Sequence, residues 1–239
     1  MPDLLTAPTA ELTVGLAITL GRSILPGDHS VRSGSYRGWR PEFYGTGLDG
    51  SAVGIIGMGA VGQAIAHRLR PFRCHISYYD QRRLTPSSED QLGIVHWNLD
   101  TLIAQSDYIV LAAPLTPTTH HLINSARIAM MKPGALLINP ARGSVVDESA
   151  VADALESGHL GGYAADAYEC EDWALPGRPQ SIDIRLLNSP RTVLTPHIGS
   201  AVTRVRRDIE LTAAQELSRF FSGQPLQCQA LSAHDNPSR

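Results

Sequence analysis

Residues 52–80 read AVGIIGMGAVGQAIAHRLRPFRCHISYYD. A short apolar run, 53–56, ends in the three glycines Gly57, Gly59 and Gly62. Val61, Ile65 and Leu69 then recur at helical spacing, and a second β-rich run ends in Asp80. Strand, glycines, helix, strand and acid in this order are the parts of a dinucleotide-binding unit. Gly57 permits the tight turn out of the strand, Gly59 lets the backbone approach a pyrophosphate, and Gly62 lets the helix pack close to the sheet. The helix opens at Ala60 and Val61, where unpaired N–H groups and the positive dipole end favour phosphates. Asp80 is placed to accept hydrogen bonds from adenosine ribose hydroxyls, and its charge opposes a 2′-phosphate. NAD rather than NADP is therefore the expected cofactor, with Arg82 and Arg83 acting against that preference. A glycine-rich turn in some other α/β unit would leave the position of Asp80 unexplained.

Working downstream, short apolar runs alternate with helical patterns. Strands are expected at 93–97, 107–113, 135–139, 162–166 and 192–195, with helices at 99–105 and 147–156. This alternation indicates an α/β fold, a Rossmann-type doubly wound parallel sheet covered on both faces. Ligands on such sheets bind beyond the carboxyl ends of the strands. Ala112, Ala113, Pro114, residues 139–142 (Pro140 and Ala141 among them), Asp166 and His197 all fall at or just past such ends. They are expected to face one crevice.

Upstream, residues 1–8 read as an extended stretch with two prolines, after which Thr9 could cap a helix carrying Leu12, Leu16 and Leu20. Helix-favouring residues thin out at Pro26 and Gly27. Residues 33–47 are rich in glycine and aromatics, among them Tyr36, Trp39, Phe43 and Tyr44. Such a loop is either an arm packing on the partner subunit of a homodimer or a surface loop folded back on its own domain. The expected organisation is a helix and aromatic loop over 1–48, a nucleotide-binding domain over 49–197, and a C-terminal helix with further chain over 198–239.

The whole-chain properties bound the function class. A net charge of −3 over 239 residues, with no long run of one sign, argues against a nucleic-acid partner. The three cysteines, Cys74, Cys170 and Cys228, lie far apart and give neither a disulfide framework nor a metal spacing. No apolar segment of bilayer-spanning length and no signal-peptide pattern is evident, so no membrane partner is expected and a cytoplasmic location is.

Three residues could do chemistry. Arg142 follows a strand end and precedes Gly143, where its planar fork could grip a small anion; the alternative is a surface ion pair. Glu171 lies in the acidic loop 169–173, which alone reads as a solvated surface. His197, in TPHIGS at 195–200, can exchange a proton near neutral pH if a carboxylate orients it; a histidine satisfied by local backbone is the commoner case. His120 and His121 have no carboxylate or cysteine at ligand spacing, so no metal is assigned. Arg204, Arg206 and Arg207 open the last helix and read as a solvated or subunit-facing basic face.

GMGAVG at 57–62, NPARGSVVDE at 139–148, GGYAADAYE at 161–169 and TPHIGS at 195–200 together resemble the D-isomer-specific 2-hydroxyacid dehydrogenases. Within them, PDLLTAPTAEL at 2–12, GWRPEFYGTGLD at 38–49 and ECEDW at 169–173 resemble most the phosphite (phosphonate) dehydrogenases. The resemblance implies a substrate-binding Arg142, an acid/base His197 and an orienting Glu171 rather than Glu169. It implies a cofactor surface at Thr9, Ala60, Val61, Asp80, Pro114, Ala141 and Asp166, and aromatics near the substrate at Trp39 and Tyr44. The implied reaction is oxidation of phosphite to phosphate with hydride passing to NAD, or of a 2-hydroxy acid by the same groups; a binding module without turnover is the third reading. In that family an N-terminal segment, folded with the C-terminal tail, forms a substrate domain with an active-site lysine. The only lysine of this sequence, Lys132, lies in a mid-chain turn. The resemblance thus implies a truncated start, a substrate domain largely missing, and a mobile tail at 224–239.

Overall fold

The computed structural model describes residues 2–227. Helices α1 (Pro2–Gly21) and α2 (Ile24–Arg32) precede β1 (Ala52–Ile56), α3 (Ala60–Leu69) and β2 (His75–Tyr79). Then come α4 (Pro86–Leu92), β3 (Ile94–His96), α5 (Leu99–Gln105), β4 (Tyr108–Leu111), α6 (Ser125–Met130) and β5 (Leu136–Asn139). The order closes with α7 (Glu148–Glu156), β6 (Gly162–Ala165), α8 (Ile184–Asn188), β7 (Thr192–Leu194) and α9 (Thr203–Phe221). The seven strands lie in the order β3-β2-β1-β4-β5-β6-β7, and every pair is parallel. Chain order runs outward from β1 in both directions, so the topology reverses between β1 and β4. A crevice opens at such a switch point, beyond the carboxyl ends of the strands. Ile56 pairs with both Tyr79 and Leu111, which brings three strand ends level at that crevice.

Successive side chains along each strand enter opposite core layers. Ile109, Leu111 and Leu137 pack with Leu102, Val151 and Leu155 on one face. Val53, Ile55, Val110 and Ile138 pack with Leu16, Leu20, Ile65 and Leu69 on the other. Burial on both faces is why the strands read as continuous apolar runs and not as alternating ones.

The N-terminal expectations need correction. Residues 2–8 are not extended: α1 is one helix with Pro8 inside it, and Thr9 is mid-helix and no cap. A helix-interior proline costs about 3 kcal/mol. Burial of Ala10, Leu16, Ala17 and Leu20 against α3 and the sheet offsets it, at roughly 1.5–3 kcal/mol per fully buried leucine. By length and composition Leu4–Gly21, at mean hydropathy 1.4, could span a bilayer, contrary to the expectation for this sequence. Its buried face covers the sheet and α3. Pro26 and Gly27 do not stop helix formation either. Pro26 is the third residue of α2, where the missing N–H has no intrahelical partner to lose.

Residues 33–47 form an irregular loop, pinned where the Tyr108 hydroxyl donates to the Thr46 carbonyl at 2.6 Å. Strands and helices after Asp80 fall within a residue or two of the expected spans, whereas α4, α6 and α8 are additional. Cys74 and Cys170 are free thiols. Cys228 and residues 228–239 of the tail expected to be mobile lie outside the described residues.

Candidate functional site

At the first end of the crevice the backbone shapes the site. Gly57 is buried with φ +97°, and a Cβ there would come within 2.6 Å of the Ala112 carbonyl carbon and the Ala113 nitrogen. Only glycine meets both demands. A Cβ at Gly62 would sit 2.2 Å from the Gly57 carbonyl oxygen, so this glycine sets how closely α3 approaches the turn. Gly59 caps α3 with no side-chain bond, leaving first-turn N–H groups at Ala60 and Val61 available to a ligand. Asp80 closes the turn: Oδ2 accepts from the Met58 N–H at 2.6 Å and Oδ1 from the Arg82 N–H at 2.9 Å. Around these groups lies a cleft of about 1080 Å³, lined by Gly57, Gly59, Asp80, Ala112, Ala113 and Pro114 among others. An open helix N-terminus for a pyrophosphate and a carboxylate at the end of β2 for a ribose diol fit a dinucleotide.

The second end is built from side chains. Asn139 folds the turn after β5, donating from Nδ2 to the Arg142 carbonyl at 2.9 Å and accepting the Ala141 N–H at 3.1 Å. Pro140 is buried and Ala141 packs on the core, which leaves Arg142 as the exposed residue of the turn. Its guanidinium donates to the Ala141 carbonyl at 2.8 Å. Next, Gly143 rests directly on the segment carrying Glu171: a Cβ would fall 1.8 Å from the Tyr168 carbonyl carbon. The arginine turn and the glutamate turn are therefore in backbone contact. His197 Nδ1 lies 2.6 Å from Glu171 Oε2. A carboxylate only accepts, so the imidazole carries its proton on Nδ1 and presents Nε2 outward. Glu171 is itself fixed by accepting the Tyr168 N–H at 3.0 Å.

His197 has φ +54°, a left-handed conformation uncommon outside glycine. Asp166 holds it there. Its Oδ1 accepts from Thr195 Oγ1 at 2.6 Å and the Ile198 N–H at 2.8 Å, and its Oδ2 from the Gly199 N–H at 2.8 Å. At 2% exposure and with three donors, Asp166 staples the histidine turn. Thr9 also belongs to this turn, with Oγ1 3.5 Å from the Gly199 carbonyl. Trp39 and Tyr44, implied as substrate-site aromatics, are 81% and 77% exposed.

Other residues supporting the site had no sequence signal strong enough to find them. Glu148 and Glu169 clasp one another: the Glu148 N–H donates to Glu169 Oε1 at 2.8 Å, and the Glu169 N–H to Glu148 Oε1 at 3.1 Å. His121 Nε2 meets Glu169 Oε2 at 3.1 Å. Thus Glu169 turns inward while Glu171 meets the histidine. Burial pushes the Glu148 carboxyl up to about 7. Tyr168, whose hydroxyl donates to the Thr195 carbonyl at 2.9 Å, ties the two turns once more.

Comparison with known proteins bears on the fold and the cofactor. Residues 14–199 match the family described as D-isomer specific 2-hydroxyacid dehydrogenase, NAD binding domain. A glyoxylate reductase of Thermococcus litoralis is 37% identical over 228 residues, covering 93% of this chain and 66% of the relative. The chain thus spans about two thirds of the length of that relative. A solved structure from Polaromonas sp., titled as a D-isomer specific 2-hydroxyacid dehydrogenase, superposes with TM-score 0.86 at 34% identity, covering 95% of this chain and 68% of the other. The D-lactate dehydrogenase of Aquifex aeolicus, solved with NAD and lactic acid, gives TM-score 0.84 at 28% identity, covering 93% and 68%. With the glycine turn, the seven-stranded parallel sheet and the match over 14–199 in agreement, the chain belongs to the D-isomer specific 2-hydroxyacid dehydrogenase family and carries its NAD-binding domain.

Proposed function

We propose that this chain serves the NAD-linked interconversion of a small 2-hydroxy acid and its 2-oxo acid, with glyoxylate the first substrate to try. The observation that carries the reading is the His197–Glu171 pair at 2.6 Å, set beside the Arg142 turn at the carboxyl edge of the sheet whose β1, β2 and β4 ends bound the cofactor cleft. Arg142 takes the substrate carboxylate with its planar fork. In reduction, His197 Nε2 gives a proton to the 2-oxo oxygen as C2 receives hydride; in oxidation it takes the hydroxyl proton back. Glu171 fixes the tautomer and stabilises the imidazolium. NAD(H), when bound, supplies or accepts the hydride. The glyoxylate reductases among the relatives support this substrate class. Phosphite oxidation by the same groups is the second reading. It rests on the sequence segments at 2–12, 38–49 and 169–173, and the exposed positions of Trp39 and Tyr44 add no support.

The test compares NADH oxidation with glyoxylate or pyruvate against NAD reduction with phosphite at equal concentrations. Faster turnover of a 2-oxo acid is expected. A clear preference for phosphite overturns the 2-hydroxy acid reading. His197→Ala should lower turnover by about 10²–10⁴-fold, the usual contribution of a general acid/base, and leave NAD affinity unchanged.

A further inference from the structure

Asp80 does not stand alone at the end of β2. Two arginines follow it, and a cation there is what a 2′-phosphate on the adenosine ribose would need. The two are not equivalent. Arg82 is exposed and contributes its backbone N–H to Asp80. Arg83 is captured: Nε donates to Glu89 Oε1 and Nη2 to Glu89 Oε2, both at 2.8 Å, the two parallel bonds of a fork-on-carboxylate pair. Glu89 is 8% exposed on α4 and cannot swing away to follow a mobile arginine. The buried Tyr78 hydroxyl donates to the same Glu89 oxygen at 2.7 Å and accepts the Leu84 N–H at 2.8 Å. Strand β2, the turn after it and α4 are thereby locked to one carboxylate.

We propose that Glu89 is a specificity-determining residue for the cofactor: by holding the Arg83 guanidinium it withholds the cation that would neutralise a 2′-phosphate, leaving Asp80 to select the free ribose diol. The inference rests on the NAD-binding reading of the cleft. It assigns the preference to two carboxylates with different tasks, Asp80 facing the ribose and Glu89 restraining its rival. The Arg83 hydrogen bond, followed by that of Tyr78, holds the Glu89 carboxyl down at about 2, so the restraint persists across any working pH.

The experiment titrates NAD and NADP separately into the full chain and its variants, following fluorescence quenching. Glu89→Gln should raise NADP affinity about tenfold with NAD affinity within about twofold, the effect of one charge-assisted hydrogen bond reduced by solvent exposure. Adding Arg83→Gln to that variant should cancel the gain, whereas adding Arg82→Gln should leave it in place. Arg83→Gln alone should change neither affinity, because the restrained guanidinium contributes nothing. An unchanged NADP-to-NAD ratio in the folded Glu89→Gln variant overturns the proposal, as does a gain that survives removal of Arg83. If Glu89→Gln does not fold, the Arg83→Gln single variant decides: a loss of NADP affinity means that Arg83 already reaches the phosphate, and the proposal is wrong. Failure of the unaltered chain to bind either cofactor would instead overturn the NAD-binding reading, and the proposal with it.

Discussion

The glycine turn and the histidine turn both lie at strand ends of one sheet, yet they are held in different ways. At the glycine turn the ligand surface is backbone, and sterics fix it: Gly57 lies against the Ala112–Ala113 peptide and Gly62 against the Gly57 carbonyl. At the histidine turn the working groups are side chains, and other side chains fix them through hydrogen bonds, chiefly those of Asp166, Glu171 and Tyr168. The groups themselves remain in water, with the His197 side chain 50% exposed and that of Glu171 32% exposed. Stabilisation of charge in a reaction depends on preorganised donors in a dry site. The cofactor end is therefore ready to bind as it stands, and the chemical end needs cover before its groups reach full effect. One end should yield to changes of shape, the other to changes of hydrogen-bonding character at constant shape.

The largest effect is expected from shape at the cofactor end. Gly57→Val places a β-branched residue at φ +97° with its Cβ 2.6 Å from Ala112. Stability should fall by about 4 kcal/mol or more, and NAD affinity more than about 100-fold, as the turn can no longer close on the pyrophosphate. Thermal melts and NAD titration check both; affinity within threefold of the unaltered chain would show that backbone shape is not what binds. Next comes an isosteric change at the other end. Asp166→Asn keeps the volume but points an amide donor at the donors of Thr195, Ile198 or Gly199. Turnover should drop about 10–100-fold with a stability loss of roughly 1–3 kcal/mol, while NAD affinity stays within about twofold. Loss of cofactor affinity instead would mean that the two ends are not separable.

This contrast also explains what the sequence makes legible. The glycine turn is local: residues 52–80 contain its strand, its turn, its helix and Asp80, so spacing alone specifies the geometry. The strands after it are equally plain, because burial on both faces writes them as apolar runs. The histidine turn is assembled from residues tens of positions apart, and no periodicity links Asp166 to Gly199 or Glu148 to Glu169. A resemblance points to Asp166 as a functional position, but its stapling of the histidine turn is visible only in the folded contacts. Pro8 misleads for a related reason: local propensity opposes the helix, and the burial that outweighs it comes from α3 and the sheet.

A smaller effect sharpens the comparison through pH. The Glu148–Glu169 clasp backs the chemical end, and burial raises the Glu148 carboxyl from 4.5 to about 7. A carboxyl raised on folding contributes its stability fully below the unfolded value and loses it as pH rises through the folded one. The chain should therefore lose stability between about pH 4.5 and 7. The shift corresponds to roughly 3 kcal/mol at most, and relaxation around the ionised group reduces this to about 1 kcal/mol. Glu148→Gln mimics the neutral acid and should flatten that slope, so that the variant is the more stable of the two at pH 8. Denaturant titrations at pH 5 and pH 8 measure it; parallel pH dependence in both proteins would mean that Glu148 ionises freely.

The smallest effect belongs to Lys132, the only lysine, and it tests whether the sheet's other rim takes any part in function. Its Nζ donates to Asp107 Oδ1 at 2.8 Å, and Asp107 Oδ2 accepts the Ala52 N–H at 2.8 Å. Ala52 opens β1 and Asp107 immediately precedes β4, so this pair pins the amino ends of the two central strands, opposite the crevice. Burial raises the Asp107 carboxyl, but the Lys132 bond and the Ala52 N–H outweigh it, and the net shift is downward. A carboxyl lowered on folding contributes stability above its unfolded value and loses it as pH falls through the folded one. With side chains 38% and 35% exposed, the pair is partly screened, and Lys132→Gln should cost only about 0.5 kcal/mol at pH 7. That difference should shrink as pH falls below 3.8 and through the lowered folded value, as protonation of Asp107 removes the charge that Lys132 neutralises. NAD affinity and turnover should not change, because no step proposed at either end of the crevice draws on this rim. Turnover reduced tenfold in a variant that melts normally would show instead that Lys132 takes part in the chemistry, and the division between the two rims would fail.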